Sequence, residues 1–230
     1  MLFFGGPLFW LAVAAFGFAL WAQFKVMSAF QRYSRVPAGV GLTGAQVAER
    51  ILHVAGLYDV RVEPVRGMLS DHYDPRHRVL RLSPEVYGTP SVAALGVAAH
   101  EAGHALQHRE NYAPLALRNA IVPVAGIGSQ LGIWLFVIGM FLGQAGGWLM
   151  DVGILLFLGV VAFTLVTLPV EFDASRRAVA ALQAHGLVTP RELDGVKAVL
   201  GAAALTYVAA AASAIVELLR LVAIRNMSRE

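Results

Sequence analysis

Two histidines and a glutamate have the spacing of a metal-assisted hydrolytic site. His100 and His104 are four residues apart, so on an α-helix they share a face and are separated by about 6 Å along the axis. Both imidazoles can then bind one metal ion. Glu101 follows the first histidine and would point beside the metal, where a carboxylate can accept a proton from a water molecule activated by zinc. The pattern predicts metal-assisted hydrolysis.

The residues before this motif favour the helix that it needs. Ser91 follows a proline and is suited to cap a helix, and the next residues are mostly alanine, valine and leucine. Gly96 and Gly103 lower the helix propensity slightly and leave room for close packing. The pattern also occurs by chance in helices, but burying two histidines and a glutamate in such an apolar segment is costly without a shared role.

The composition is that of a membrane protein. Of the 230 residues, 57% are hydrophobic and 14% are charged, with a mean hydropathy of +0.63, whereas soluble domains carry about 25% charged residues. Cysteine is absent, so His, Asp or Glu must hold any metal. The net charge is +3, but the basic residues are scattered near apolar segments, which argues against nucleic-acid binding. The expected partners are a protein or peptide substrate and membrane lipids.

Four apolar stretches are long enough to cross a bilayer: residues 2–24, 119–145, 152–170 and 202–224. The last stretch contains a charged pair, Glu217 and Arg220, and its pattern also fits an amphipathic helix packed on the bundle. The expected fold is a mainly α membrane protein with about four transmembrane helices and a small α+β zincin-like catalytic domain inserted between helices 1 and 2.

The chain accordingly divides into five parts. These are transmembrane helix 1 (1–24), a cytosolic zincin-like domain (25–118), a transmembrane hairpin (119–170), a polar segment with a candidate third ligand (171–200), and a fourth transmembrane helix with the C-terminal tail (201–230).

The polar stretch after the first span is expected to contain short strands and helices. Thr43 can cap a helix over residues 44–55. Residues 58–63 and 78–83 have the pattern of two strands, and an edge strand beside the metal-binding helix can hold an extended peptide by main-chain hydrogen bonds. A loop is expected over residues 67–74 and a helical turn over 84–87.

The basic residues predict which side of the membrane carries the motif. With spans at 2–24, 119–145 and 152–170, the histidine motif and the segment after residue 170 emerge on the same side, whereas the 144–151 connection carries no basic residue. The positive-inside rule places the motif in the cytoplasm. The basic residues on that side are Lys25, Arg32, Arg35, Arg109, Arg118, Arg176 and Arg177, and a minor contradiction comes from Arg225 and Arg229.

A catalytic zinc takes three protein ligands and one water, and several residues can supply the third. His108 is on the same predicted helix, but it lies about 12 Å from His100 if that helix is straight. Glu171 follows the 152–170 span, where it is expected to begin a helix and interact with the helix dipole; a glutamate there can also serve only as a cap. The candidates are His108, Glu171, Asp173, and the cluster of Asp71, His72 and Asp74.

These motifs resemble those of integral-membrane gluzincin peptidases. HtpX-type and CAAX-prenyl-protease-type enzymes carry His-Glu-x-x-His and, on a second helix, Glu-x-x-Ala-Asp, to which residues 100–104 and 171–175 are similar. Nearly the whole chain resembles the YugP-like family of membrane zinc metallopeptidases. The resemblance implies that His100, His104 and Glu171 bind one zinc ion per chain and that Glu101 is the general base. The matching segments are residues 70–75, 80–83, 100–108 and 168–178.

One position departs from the wider gluzincin pattern. Ser175 stands where those enzymes carry an aspartate, in a position suited to hydrogen-bond a ligating histidine. A serine makes that bond less strongly, and Asp173 is an alternative partner. Arg176 and Arg177 either orient Glu171 or act as anchors at the membrane surface.

The sequence therefore predicts an integral-membrane zinc-dependent endopeptidase. Because the site is close to the bilayer, membrane or membrane-proximal proteins are the expected substrates. The alternative is a non-catalytic membrane scaffold or assembly partner with a structural zinc site, whereas a metal transporter would need ligating groups within the spans. Candidates for the donor that stabilises the tetrahedral oxyanion are His72, Tyr73, Tyr87 and Tyr112.

Overall fold

The structure, a computed structural model, describes residues 6–228. The first predicted span begins at residue 2, so its first residues, like Arg229, lie outside the described part. As the apolar stretches predict, the described residues include four helices long and apolar enough to cross a membrane, which indicates a membrane protein. These helices cover Pro7–Ser34, Ala113–Phe141, Gly143–Ala184 and Pro190–Met227.

The elements form two compact units. The helical unit contains the residues up to Ala22, Ala116–Pro169 and the residues from Thr206; the sheet-containing unit contains Gln23–Leu115 and Val170–Leu205. In chain order the elements are α1 (Pro7–Ser34), α2 (Gly44–Val54), β1 (Arg61–Pro64), β2 (His72–Asp74), β3 (Val79–Leu82), α3 (Pro84–Tyr87), α4 (Val92–Arg109), α5 (Ala113–Ile127), a π-helical segment (Gly128–Gly132), α6 (Ile133–Phe141), a 3-10 segment (Gly143–Gly146), α7 (Gly147–Ala184) and α8 (Pro190–Met227).

Glycines allow close backbone contacts in the helical unit. A Cβ atom on Gly139 would lie 2.6 Å from the carbonyl oxygen of Gly146, and one on Gly153 would lie 2.6 Å from that of Gly132. Apolar side chains gain little by leaving lipid, so close packing at small residues is an important source of helix association in bilayers. One cluster of buried apolar residues in this unit contains Phe136, Met150, Phe157, Val161, Ala214 and Leu221.

Two basic residues of α8 that complicate its assignment as a span are paired with acids. Arg225 donates hydrogen bonds to both carboxylate oxygens of Asp151, at 2.7 and 2.9 Å. This bidentate pair compensates the charge of Arg225 in the folded protein. Arg220 donates to Glu217 at 2.8 Å, as expected for residues three apart on a helix.

The sheet-containing unit begins with the capped helix that the sequence predicts. The Thr43 side chain accepts a hydrogen bond from the backbone N–H of Gln46, and the Gln46 side chain accepts one from the Thr43 N–H at 2.9 Å. This capping box fixes the start of α2. The predicted helical turn over residues 84–87 is confirmed as α3.

The sheet has three strands, one more than predicted. β3 lies in the centre, parallel to β1 and antiparallel to β2. The expectation of a loop over residues 67–74 is wrong for His72–Asp74, which pair with β3 so that Tyr73 lies opposite Leu80. Three polar residues are too few to show the alternation of a strand, so cross-strand pairing rather than local pattern defines β2.

Glu171 lies inside a helix and not at its start. α7 is continuous over Gly147–Ala184 and contains Pro169, so both the predicted helix start and the interpretation of Glu171 as a cap are wrong. A proline usually marks a helix boundary, but membrane helices tolerate one when neighbouring groups satisfy the freed backbone. The connection predicted at 144–151 is also shorter, because α7 already begins at Gly147.

Candidate metal centre

α4 carries the histidine motif through the core of the sheet-containing unit. The predicted cap is confirmed, since the Ser91 side chain accepts a hydrogen bond from the N–H of Ala94 at 3.2 Å. α4 packs in a core with α2, β3 and parts of α7 and α8. The fixed backbone of this buried helix determines where the motif side chains lie. Large core residues include Leu52, Leu80, Leu82, Leu95 and Leu182.

A glycine contact brings α4 against α7. A Cβ atom on Gly103 would lie 2.6 Å from the carbonyl oxygen of Ala174, so at this position only glycine permits the observed approach of the two backbones. Ala174 is three residues after Glu171 on the same helix. The contact therefore places the Glu171 carboxylate next to the histidines of α4.

His100, His104 and Glu171 form one compact group. The Nε2 atom of His100 lies 3.2 Å from Oε2 of Glu171, and Nε2 of His104 lies 3.7 Å from Oε1. One nitrogen or oxygen from each of the three residues lies within 4.8 Å of the others, and Glu171 is only 4% exposed. Two ligand atoms on a tetrahedral zinc are about 3.3 Å apart. The donor set and its spacing thus fit a zinc ion.

Hydrogen bonds to the outer ring nitrogens orient both histidines. Nδ1 of His100 bonds to Oγ of Ser175 at 3.1 Å, and Nδ1 of His104 bonds to Oε1 of Gln107 at 3.0 Å. Both Nε2 atoms consequently face Glu171. Such outer partners fix the ring orientation and the protonation pattern of metal-binding histidines.

Gln107 determines which nitrogen of His104 carries the proton. Its amide nitrogen donates to the Val170 carbonyl at 2.8 Å and to Asp173 at 2.9 Å. The amide oxygen must therefore face His104, where it can only accept a hydrogen bond. His104 carries its proton on Nδ1, and the lone pair of Nε2 is available to a metal. Gln107 was not among the residues predicted from the sequence, although its position three residues after His104 places the two side chains on one helix face.

Asp173 supports Gln107 instead of a histidine. Its carboxylate accepts hydrogen bonds from Gln107, Arg176 and Arg177, and Arg177 also donates to Glu110 at 2.6 Å. Asp173 thus does not bond a ligating histidine directly, as the alternative expected. It acts on His104 through Gln107. Ser175 makes the direct contact to His100 despite its departure from the wider pattern.

Glu101 lies beside the ligand group and is nearly buried. Glu101 is 8% exposed. Burial raises the pKa of its carboxyl to about 7, against the lowering effects of His100 and of a hydrogen bond from the Tyr73 backbone. A carboxyl that titrates near neutrality can accept a proton and return it within one reaction cycle.

The other candidate ligands take part in separate contacts. His108 bonds through Nδ1 to the Tyr73 hydroxyl at 2.9 Å. Asp71 accepts hydrogen bonds from the backbone and hydroxyl of Ser83, and Asp74 bonds His77 and Arg81. Among the described residues, only the group of His100, His104 and Glu171 has the geometry to hold a metal ion.

The candidate oxyanion donors have different surroundings. The His72 ring bonds to the Ser70 carbonyl at 2.8 Å and is exposed, while the guanidinium of Arg177 lies 5.8 Å from the Tyr112 ring centroid. The Tyr73 hydroxyl is engaged by His108, and Tyr87 lies in the short helix α3.

Comparison with known proteins agrees with the geometry of the centre. The protein named "Putative membrane protease YugP" from Bacillus subtilis (strain 168) is 54% identical over 214 residues, which are 93% of this chain and 94% of that protein. No solved structure matches the chain significantly. The zinc-peptidase family matches residues 8–226, almost the whole chain. The chain therefore belongs to the family described as "Putative neutral zinc metallopeptidase".

Proposed function

We propose that this protein is an integral-membrane zinc-dependent endopeptidase. The observation that carries the proposal is the buried group of His100, His104 and Glu171, with the Glu101 carboxyl beside it. Three such ligands leave a fourth position of a tetrahedral zinc open, as in catalytic sites. A site that only stabilised the fold would have no need of Glu101, which is not one of the three ligands.

The residues of the centre divide the chemical roles. His100, His104 and Glu171 would hold one zinc ion per chain, and zinc supplies Lewis-acid activation of water and of the scissile carbonyl. Glu101 accepts the proton of the attacking water and delivers it to the leaving amine nitrogen. Ser175 and Gln107 keep the histidine rings oriented, so that neither ring has to reorganise during the reaction.

The sheet provides a place for an extended substrate. Among the described strands, β2 pairs only with β3 and so forms an edge of the sheet, and β2 also contacts α4. An extended peptide added to this edge would run past the metal centre and be held by main-chain hydrogen bonds. This arrangement favours unfolded or extended segments of membrane and membrane-proximal proteins as substrates.

The proposed topology keeps the five-part division of the sequence. The zincin-like domain is inserted between the first and second spans, and the segment with Glu171 follows the third. Basic residues flank these spans on the side of the histidine motif, which supports a cytoplasmic active site. Arg225 and Arg229, which follow the fourth span, stay a minor exception to this pattern, because the positive-inside rule counts basic residues and not net charge.

Metal content and peptidase activity test the proposal together. The untagged protein, Glu171→Ala, Glu101→Gln and a control variant at an exposed carboxylate of α2, Glu49→Ala, are purified in detergent. We expect one zinc per chain in the wild type, Glu101→Gln and Glu49→Ala, and much less in Glu171→Ala. Hydrolysis of an unfolded protein such as casein should fall about 10²-fold or more in Glu101→Gln and stay unchanged in Glu49→Ala.

Each departure from this result has a distinct meaning. Full zinc content in Glu171→Ala would show that the ligand set is wrong. Undiminished hydrolysis by Glu101→Gln would exclude this residue as the base. A wild type that holds zinc but cleaves neither casein nor membrane-protein substrates would favour the non-catalytic scaffold.

A further inference from the structure

A basic groove lies between α1 and α8 in the sheet-containing unit. Its volume is about 610 Å³, and its lining includes Lys25, Ser28, Arg32, Tyr33, Lys197 and Leu205. We propose that this groove binds the headgroup of an anionic phospholipid, with the phosphate between the basic side chains. The site is separate from the metal centre and does not depend on the proposed peptidase function.

The charges of the groove select an anion. Lys25 and Arg32 come from α1 and Lys197 from α8, and no carboxylate lines the groove in the part of the chain that the structure describes. Asp194, three residues before Lys197, is not among the lining residues. Three cationic side chains around one open cavity attract a phosphate group.

Another acid of α8, Glu192, makes its hydrogen bonds away from the groove lining. Glu192 accepts hydrogen bonds from the backbone N–H groups of Gly39 and Thr189, at 2.6 and 2.7 Å. Its carboxylate is therefore held at the start of the helix, and Glu192 does not line the groove. The hydroxyl groups of Ser28 and Tyr33 add neutral donors to the same lining.

The position of the groove along both helices favours a lipid over a dissolved ion. Residues 7–24 of α1 carry no charged side chain and Lys25 is the first, while on α8 residues 198–216 after Lys197 carry none. Each uncharged run is about 27 Å or slightly longer, close to the thickness of the hydrocarbon core. The groove thus lies where both helices pass from apolar to polar sequence, which is the depth of lipid headgroups.

The apolar side of the groove suits the start of the acyl chains. Ala198, Gly201 and Ala202 are small and leave the space between the helices open, and Leu205 lines its apolar side. On α1, the exposed Phe24 is 72% accessible just before Lys25. A lipid can therefore place its phosphate against the cations and its chains along apolar surface.

Lipid binding by the full-length protein in detergent tests this inference. Native mass spectrometry measures the binding of dioctanoyl-phosphatidylglycerol, dioctanoyl-phosphatidylcholine and inorganic phosphate to the wild type and to the triple variant Lys25→Gln, Arg32→Gln, Lys197→Gln. We expect phosphatidylglycerol to bind more tightly than the other two probes. The triple variant should bind it about tenfold or more weakly, because each basic residue near the surface strengthens binding severalfold.

A matched variant separates this site from general surface charge. The control is a second triple variant, Arg35→Gln, Arg50→Gln, Arg191→Gln, which also removes three positive charges, all of them outside the groove lining. The affinity of this control for phosphatidylglycerol should stay within about twofold of the wild type. Thermal unfolding and size-exclusion profiles verify that both variants are folded. Equal weakening in the two triple variants, or none in the groove variant, would overturn the site. Inorganic phosphate binding as tightly as phosphatidylglycerol would overturn the lipid as its occupant.

Discussion

Gln107 is the residue that most directly controls the chemistry of the proposed ligands. It is completely buried and connects His104 of α4 to Val170 and Asp173 of α7. Because its amide oxygen accepts from Nδ1 of His104, it keeps the opposite nitrogen unprotonated. Both the amide oxygen and the amide nitrogen of Gln107 have hydrogen-bond partners. Gln107 is therefore a rigid support for the metal centre.

Replacing Gln107 by methionine should weaken zinc binding. The side chain keeps its approximate volume but cannot accept the proton of His104 or donate to Asp173, and the loss of such an outer partner typically lowers metal affinity about 10–100-fold. Competition with a chromophoric chelator measures the zinc dissociation constant. Gln183→Met, at an exposed position of α7, serves as the control. A normal dissociation constant in a folded Gln107→Met protein would show that Gln107 has only a packing role.

The crossing of α4 and α7 is the element-scale feature on which the centre depends. The contact of Gly103 with the Ala174 carbonyl is between backbones, so it cannot relax by rotation of a side chain. Gly96, also on α4, differs, because a Cβ atom there would lie 3.3 Å from a methyl group of Val196. The two glycines thus have the same conformation but different tolerance for an added methyl group.

Gly103→Ala should separate the two helices and impair metal binding. The added methyl group would overlap the Ala174 carbonyl, and overpacking of this kind costs about 1–3 kcal/mol of unfolding free energy. Gly96→Ala should have a smaller effect because the Val196 side chain can shift. Thermal unfolding and zinc content of both variants measure the difference. Equal zinc content and equal stability in the two variants would contradict a special role for the Gly103 contact.

The turn between β2 and β3 depends on an ionised carboxylate. Asp74 accepts hydrogen bonds from the backbone N–H of Arg76 and from the side chains of His77 and Arg81. These contacts, led by His77, hold the pKa of Asp74 well below its usual range. The ionised Asp74 carboxylate therefore stabilises the fold at pH values above the pKa of an aspartate in the unfolded chain, which is about 4. This stabilisation is lost as the pH falls through and below that value.

Asp74→Asn should therefore lower stability at pH 7 and reduce the loss of stability on acidification. We expect a decrease of about 1 kcal/mol, the usual net value of such hydrogen bonds. Unfolding curves between about pH 7 and pH 3.5 give the pH dependence. Asp59→Asn is the control, since the Asp59 side chain is 59% exposed and pairs only at the surface with Arg78. Parallel pH profiles for the wild type and Asp74→Asn would rule out this contribution.

At the scale of the whole molecule, the sequence predicted what depends on local pattern. Length and hydropathy identified the four apolar helices, and the side-chain chemistry of Thr43 and Ser91 identified two helix starts. The spacing of His100 and His104 alone indicated that the two side chains share a helix face. These features require only residues close together in the chain.

The features that the sequence did not predict depend on tertiary contacts. β2 exists because three polar residues pair with β3, and α7 continues through Pro169 although a proline usually ends a helix. Gln107 acquires its role from Val170 and Asp173, more than 60 residues away. The position of Glu171 within a helix likewise depends on the packing of α7 against α4. Its prediction as the third ligand came from the family resemblance, because the local sequence pattern left several candidates.

The large separation between His100 and Glu171, 71 residues along the chain, has a consequence for biosynthesis. A nascent chain that has been translated past His104 but not yet to Glu171 carries two histidines of the proposed site and lacks the carboxylate. Two ligands hold zinc far more weakly than a closed set of three, since metal binding is coupled to folding. The ribosome-bound protein would thus remain an apoprotein until α7 has been made, and acquisition of zinc would mark the moment at which the metal centre is complete.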